Sequence, residues 1–245
     1  MHITTQGLVL RETNYKEADK ILTVLTREGG KRTVKARGCR RKNSPLAASA
    51  QLLVWSDMTL FEYRDYFTLN EAETLELFWG VRQDVEKLAL CSYFAEVTEL
   101  VAEEGRPDAG LLSLILNSMY ALDKLNKSLA LVKAAFELKL LCLAGYEPLL
   151  DACAVCGLPE PEQPALDLAE GVLRCGRCGS GGGPARGLDA AALAAMRHVA
   201  YGDPKRLFSF ALPSESLSRM AAACEDFLLA QLDRGFRTLD FYKTL

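Results

Sequence analysis

Histidine is almost absent from this 245-residue chain, which holds only His2 and His198. A Ser-His-Asp or Cys-His nucleophilic centre would have to use one of them. His2 stands at the start of the chain, and His198 falls in an apolar helical pattern, AALAAMRHVAYG, that suits a structural imidazole. No G-x-x-x-x-G-K-[ST] phosphate loop is present, which argues against an ATP-driven motor. The acids are not gathered for two-metal chemistry. Glu103-Glu104 reads as a solvated helix end, and Asp57, Glu62 and Asp65 are dispersed near a strand turn. No apolar run approaches the roughly 20 residues of a membrane span. The opening MHITTQGLVLRETNYKEADK also has no apolar signal region, so a cytoplasmic protein without a membrane partner is expected. With 49% hydrophobic and 25% charged residues, the composition is that of a globular chain, long enough for two or three small domains.

The net charge of −3 conceals two halves of opposite sign. Residues 1–70 hold 12 Lys and Arg against 7 Asp and Glu, a net of +5, which leaves −8 for the remainder. Arg27 to Lys42 alone carries eight basic residues and one acid, Glu28. Such a run is the footprint expected of a polyanion-binding surface, because Lys and Arg on an extended surface track a sugar-phosphate backbone and release its counterions. Arg11, Lys31, Lys35, Arg37, Arg40, Arg41 and Lys42 are the candidate phosphate contacts. Tyr15, Tyr63, Tyr66 and Phe67 lie in the same region, either as core and edge residues or as rings that stack on bases. A merely solvated charge run is the competing reading, although such runs usually interleave acids.

Hydrophobic periodicity divides the chain. Residues 1–70 read as five short strands: Gly7 to Glu12, Ile21 to Thr26, Arg32 to Gly38, Gln51 to Tyr63 and Tyr66 to Leu69. Glu28-Gly29-Gly30-Lys31 makes a hairpin turn between the second and third. Val34 and Ala36 should then face the core, with Thr33, Lys35 and Arg37 facing out. Five strands in this length suggest a small barrel, and the OB-fold is the leading candidate. Asn70 to Glu73 reads as a helix N-cap with its acidic partner, so a helix is expected from about 75 to 104. Further helices are expected over 108–125, 128–144, 188–201 and 214–234. The expected organisation is an α+β multi-domain chain: an OB-fold nucleic-acid-binding domain at 1–70, an α-helical domain at 71–150, a metal-binding module at 151–187, and C-terminal helices at 188–245 that pack with the helical domain. Arg197, Lys205 and Arg206 are basic spots from which a DNA path could be extended.

The module is defined by cysteines. Cys153, Cys156, Cys175 and Cys178 form a C-x2-C-x18-C-x2-C array within zinc-ribbon spacing, and two tight turns of this kind supply the four thiolates that tetrahedral Zn²⁺ prefers. A four-thiolate site has no open position, which makes one structural Zn²⁺ the expected cofactor rather than a catalytic metal. Gly157, Gly176 and Gly179 stand where the chain would need left-handed backbone to turn around the ion. Disulfides, unligated core thiols or a redox pair are the alternatives. Of the other cysteines, Cys91, Cys142 and Cys224 read as small core hydrophobes, and Cys39, in the basic run, as a partly exposed thiol. After Cys178, Ser180 to Pro184 reads as a flexible connector.

The order of these parts resembles the bacterial recombination mediator family RecO over essentially the whole chain. The resemblance rests on GLVLRETNYKEADKILTVLTREGG (Gly7 to Gly30), VKARGCRR (Val34 to Arg41) followed by Ser44-Pro45-Leu46, LCLAGYEPLLDACAVCG (Leu141 to Gly157), and the glycine-bearing second cysteine pair. The passage from a helix end through Gly145-Tyr146-x-Pro148 to Asp151-x-Cys153 is its most specific piece. It implies a non-enzymatic, nucleoid-associated mediator of DNA repair and recombination with an N-terminal OB-fold, a helical domain and an inserted zinc module. Such proteins bind single- and double-stranded DNA, anneal complementary strands, associate with RecR, contact the acidic tail of single-strand-binding protein through their helical domain, and help load RecA. By that resemblance Lys35, Arg37, Arg40 and Arg41 would contact DNA or RecR. Two other classes stay open: a scaffold whose basic patch docks an acidic protein, and a metal-dependent nuclease.

Overall fold

A computed structural model describes residues 1–179 and 181–245; Ser180, in the expected connector, lies outside the described residues. Five strands open the chain: β1 (His2–Tyr15), β2 (Asp19–Thr26), β3 (Gly30–Ala36), β4 (Trp55–Tyr63) and β5 (Tyr66–Glu76). They close into a barrel of order β1-β2-β3-β5-β4, antiparallel throughout except for the parallel β3–β5 contact that closes it. This is the OB-fold expected from the strand count.

Alternation dictates the barrel interior. Val9, Leu22, Val24, Val34, Ala36, Met58, Leu60, Phe67 and Leu69 point inward and are buried. Each fully buried Val, Leu or Phe contributes about 1.5–3 kcal/mol. The unbroken Leu8-Val9-Leu10 run is buried throughout because β1 serves two neighbours. It pairs with β4 over His2–Leu8 and with β2 over Gly7–Tyr15, and a register shift between Val9 and Arg11 bends it from one to the other. Gly7 sits at that crossing, where an added Cβ would come within 2.6 Å of Val24 Cγ1. Cys39 is buried inside the barrel, not partly exposed, and its burial raises the thiol pKa.

The end of the barrel differs from the expectation. Asn70 to Glu73 does not cap a helix, because β5 continues to Glu76. Glu71 and Glu73 lie opposite Thr59 and Asp57 of β4 and point outward, so their spacing is strand alternation that mimics a capping box. The strand stops where the Glu76 carboxylate accepts the backbone N–H groups of Leu77 and Phe78. A single turn, α1 (Trp79–Arg82), follows, and the long helix α2 (Val85–Val101) starts only at Asp84, whose side chain caps Glu86 and Lys87. Helix α3 (Ala109–Asp123) is capped in the same way by Asp108.

The chain forms two compact units, Met1–Lys124 with Phe236–Leu245, and Leu125–Gly235. The expected boundary at 70 falls inside the first of these units, and those at 150 and 187 fall inside the second. In the first unit, α2 and α3 accompany the barrel, and the last helix, α7 (Arg237–Tyr242), returns to α2. There the Phe236 ring meets Tyr93 at 5.7 Å and Thr238 donates to Glu96. The C-terminal helices thus pack on helices of the 71–150 segment, α7 on α2 in this unit and, in the other, α5 (Ala190–Tyr201) and α6 (Ser214–Leu232) on α4 (Leu129–Leu143).

The second unit is built on α4 (Leu129–Leu143), which is buried almost all round and packs with α5 (Ala190–Tyr201) and α6 (Ser214–Leu232). Lys133 of α4 is held by Glu137 and by Glu225 of α6, each at 2.7 Å, so that burial of this charge is compensated. His198 hydrogen-bonds the Arg206 carbonyl at 2.9 Å, the structural role its helical setting suggests. Between α4 and α5 lies a small sheet of order β7-β6-β8, made of β6 (Ala165–Asp167), β7 (Val172–Arg174) and β8 (Ala185–Gly187).

Candidate nucleic-acid interface and metal centre

Strand register builds a groove on the outer wall of the barrel. Thr13 lies opposite Ile21, Ile21 opposite Lys35, Lys35 opposite Thr68, and Thr68 opposite Phe61. Directly paired residues project to the same side of a sheet, so these five form one belt around the outside. Tyr15, at the end of β1, stands at one side of it. Tyr63 and Tyr66, an opposed pair on the last rungs of the β4–β5 hairpin, stand at the other. Together with Thr33, Arg37 and Phe67, all of these groups except Thr13 line a groove of about 510 Å³.

Exposed aromatic rings cluster here. Tyr15, Tyr63 and Tyr66 are 42%, 58% and 77% exposed, and Phe61 is 38% exposed. Phe67, the fourth ring anticipated from the sequence, is instead part of the core at 6%. Phe61 was not anticipated, although it stands two residues from Tyr63 and period 2 puts both on one face.

Cations border the rings. Lys35 Nζ lies 4.9 Å from the centre of the Tyr15 ring, Lys16 lies 5.5 Å from it, and Arg64 lies 5.2 Å from the Tyr63 ring. Lys35 is also paired with Asp19 at 3.1 Å. The Asp19 carboxylate accepts the Gly38 backbone N–H at 2.8 Å, and that bond followed by Lys35 holds its pKa below the usual value. Asp19 thereby ties the loop after β3 to the turn between β1 and β2. Two bonds from Arg40 do the same: its backbone N–H reaches the Ala18 carbonyl at 3.0 Å, and its guanidinium reaches the Lys16 carbonyl at 3.3 Å.

The seven candidate cations fall into two groups. Lys35, Arg37, Arg40, Arg41 and Lys42 belong to the groove and the loop beside it. Among the described residues, Arg37, Arg40, Arg41 and Lys42 are exposed and make no ion pair. Arg11 and Lys31 are placed elsewhere, against α2. Arg11 pairs with the Glu99 carboxylate at 2.8 Å, and Lys31 Nζ donates to the Glu99 carbonyl at 2.8 Å. The more distant basic spots divide likewise: Lys205 and Arg206 are exposed and make no ion pair among the described residues, whereas Arg197 is committed. The Arg197 guanidinium is consumed by the carbonyls of Leu150, Asp151 and Pro159 and by Glu160, so it braces the first cysteine loop instead of extending a basic surface.

The four module cysteines converge. Their sulfur atoms lie within 4.8 Å of one another, and Cys156 and Cys175 are 3.8 Å apart. Tetrahedral Zn–S bonds of about 2.3 Å require sulfurs about 3.8 Å apart, whereas a disulfide requires about 2.05 Å. Each C-x2-C loop turns through a glycine just past its second cysteine, Gly157 at φ +73° and Gly179 at φ +71°. Gly176 does not have a left-handed backbone; what it supplies is room, since a Cβ there would meet Gln163 Oε1 at 2.6 Å.

Backbone N–H groups of Cys156 and Val155 bring the Cys153 thiol pKa down to about 6. The Cys178 amide lowers that of Cys175, while Cys178 itself, beside Cys175 and Cys156, is pushed up to about 12. Amides aimed at sulfur favour thiolates, but crowding prevents four anions from coexisting without a cation between them. The donor set and spacing fit a thiophilic tetrahedral metal ion. The remaining thiols behave as core groups, with burial raising Cys142 to about 12 and moving Cys91 and Cys224 upward. No helix among the described residues is long and apolar enough to cross a membrane.

Comparison with known proteins covers both parts of the chain. Residues 1–78 match the family model described as Recombination protein O N terminal, and residues 82–240 match Recombination protein O C terminal. The chain is 30% identical over 244 residues to the DNA repair protein RecO of Acetivibrio thermocellus, covering 100% of this chain and 97% of that one. It is 34% identical over 244 residues to the DNA repair protein RecO of Symbiobacterium thermophilum, covering 98% and 96%. It is also 36% identical over 178 residues to its counterpart in Alkaliphilus metalliredigens, covering 73% and 72%.

Proposed function

The chain belongs to the RecO family of DNA repair proteins, and from that premise we propose that it is a mediator that binds single- and double-stranded DNA and anneals complementary strands. With RecR, it helps load RecA onto strands covered by single-strand-binding protein. The observation that carries this reading is the outward belt of the barrel, where exposed rings and unpaired cations share one groove and the loop beside it. Holding two strands on a basic surface raises their local concentration and offsets phosphate repulsion, so annealing needs no bond chemistry and no catalytic residue. Lys35, Arg37, Arg40, Arg41 and Lys42 are the phosphate contacts in this scheme, and Lys35 must exchange Asp19 for phosphate to take part. Arg11 and Lys31 are secondary, because Glu99 already occupies them.

Cys153, Cys156, Cys175 and Cys178 would hold one Zn²⁺, which supplies a charge centre that keeps four thiolates together. The residues themselves supply the rest. The left-handed glycines turn the loops, the amides favour the thiolates, and Arg197 fastens the first loop to α5. The place of action is the cytoplasm, at the nucleoid. The binding surface is tested by reversing Lys35, Arg37 and Arg41 to Glu. DNA affinity is expected to fall broadly across sequences and to lose much of its salt dependence. An unchanged affinity and slope in the folded triple variant would exclude this surface.

A further inference from the structure

Cations alone would give a surface indifferent to whether DNA is paired, and the groove contains more than cations. Four exposed rings, Phe61, Tyr63, Tyr66 and Tyr15, are gathered around it, whereas other exposed rings of the chain, such as Trp79, Tyr120 and Phe241, are not among its lining. Tyr63 and Tyr66 are held at the tip of a hairpin whose two turn residues, Arg64 at φ +48° and Asp65 at φ +64°, both adopt the left-handed backbone usually left to Gly or Asn. The two-residue turn keeps the opposed Tyr63 and Tyr66 on the same side of the hairpin. It also sets the Arg64 guanidinium over the Tyr63 ring.

We infer that Tyr63 and Tyr66, with Tyr15 across the groove, stack on unpaired nucleobases and make this groove select single-stranded over double-stranded nucleic acid. The inference rests on the DNA-binding reading above and adds a division of labour to it. Bases in a duplex are stacked on one another and show a protein only their edges, so a duplex engages Arg37, Arg40, Arg41 and Lys42 through its phosphates alone. An open strand can lay its base faces on the rings while its phosphates meet the same cations. Every base has a π-face, so this recognition tolerates any sequence. Charge complementarity favours this occupant, because Lys16, Lys35, Arg37 and Arg64 border the rings and suit a ligand that carries a negative charge beside each flat group.

The test compares the full-length chain with the Y63A/Y66A variant. Fluorescence anisotropy is measured on an oligothymidylate and on a mixed-sequence duplex of equal length, with both DNAs compared at each of several salt concentrations. The variant is expected to bind the single strand at least about tenfold more weakly while duplex affinity changes less than about twofold. The single-strand salt slope should be unchanged, since no cation is removed. Y63F/Y66F, which keeps the rings, should bind both like the parent. Both positions are exposed, so truncation opens no cavity, and a matching thermal melt checks this. Equal weakening on the two DNAs, or undiminished binding of the single strand as expected if the groove takes an acidic peptide, would overturn the inference. Failure of the parent chain to bind either DNA would instead overturn the DNA-binding reading on which it stands.

Discussion

Replacing Arg37 and Arg41 by alanine should change the salt dependence of DNA binding, whereas replacing Arg11 and Lys31 should hardly do so. The contrast follows from what each cation already holds. Arg37 and Arg41 are exposed and make no ion pair among the described residues, so a phosphate that reaches them displaces only water and small ions. Arg11 and Lys31 must give up Glu99 first. Each phosphate neutralised on a single strand contributes about 0.7 to the slope of log affinity against log salt, so losing two contacts lowers the slope by about 1.4. Between about 50 and about 200 mM salt, that difference narrows the gap between parent and variant roughly sevenfold. Folding should survive in both variants. The Arg11 side chain is 62% exposed, and a surface pair of this kind is worth about 0–1 kcal/mol. Anisotropy titrations on an oligothymidylate at four or more salt concentrations give the slopes directly. A loss of slope in R11A/K31A equal to or greater than that in R37A/R41A would move the DNA to the face of β1 and α2 and refute the assignment.

Two further outcomes are expected. Protein purified without chelator should carry about one Zn²⁺ per chain by elemental analysis, and Cys153→Ala or Cys175→Ala should lose both the metal and hydrogen-exchange protection over residues 147–187; a metal-free parent protein would contradict the assignment. Asp19 has a folded-state pKa below its ordinary value of 3.8, so its contribution is fully present above that pH and is lost as pH falls through the lower folded value. The stability difference between the parent and Asp19→Asn should therefore shrink on acidification below about pH 4, and a difference that grows there would show the sign to be wrong.

Much of the barrel could be read from the sequence because it depends on local alternation. Val34 and Ala36 face inward and Lys35 outward, as period 2 requires, and the cysteine quartet follows from spacing alone. What was not legible depended on distance along the chain. Glu99 lies 88 residues from Arg11, so nothing near Arg11 shows that its charge is already met. Asn70 to Glu73 satisfies both a capping box and an alternating strand, and only pairing with Asp57 and Thr59 decides between them. The return of α7 to α2, through Phe236 and Thr238, is likewise a tertiary choice that an amphipathic pattern cannot encode. Phe61 could have been found, because its spacing from Tyr63 already puts the two rings on one face.

On the proposed function, this chain joins DNA strands without bond chemistry. The most direct test of that function is annealing of two complementary oligonucleotides, each covered by single-strand-binding protein, in the absence of ATP and with R37A/R41A in parallel. Duplex should form faster with the parent chain than without it, with strands intact and with most of the acceleration lost in the variant. No acceleration by the folded parent chain, or cleavage of the strands in its place, would contradict the account.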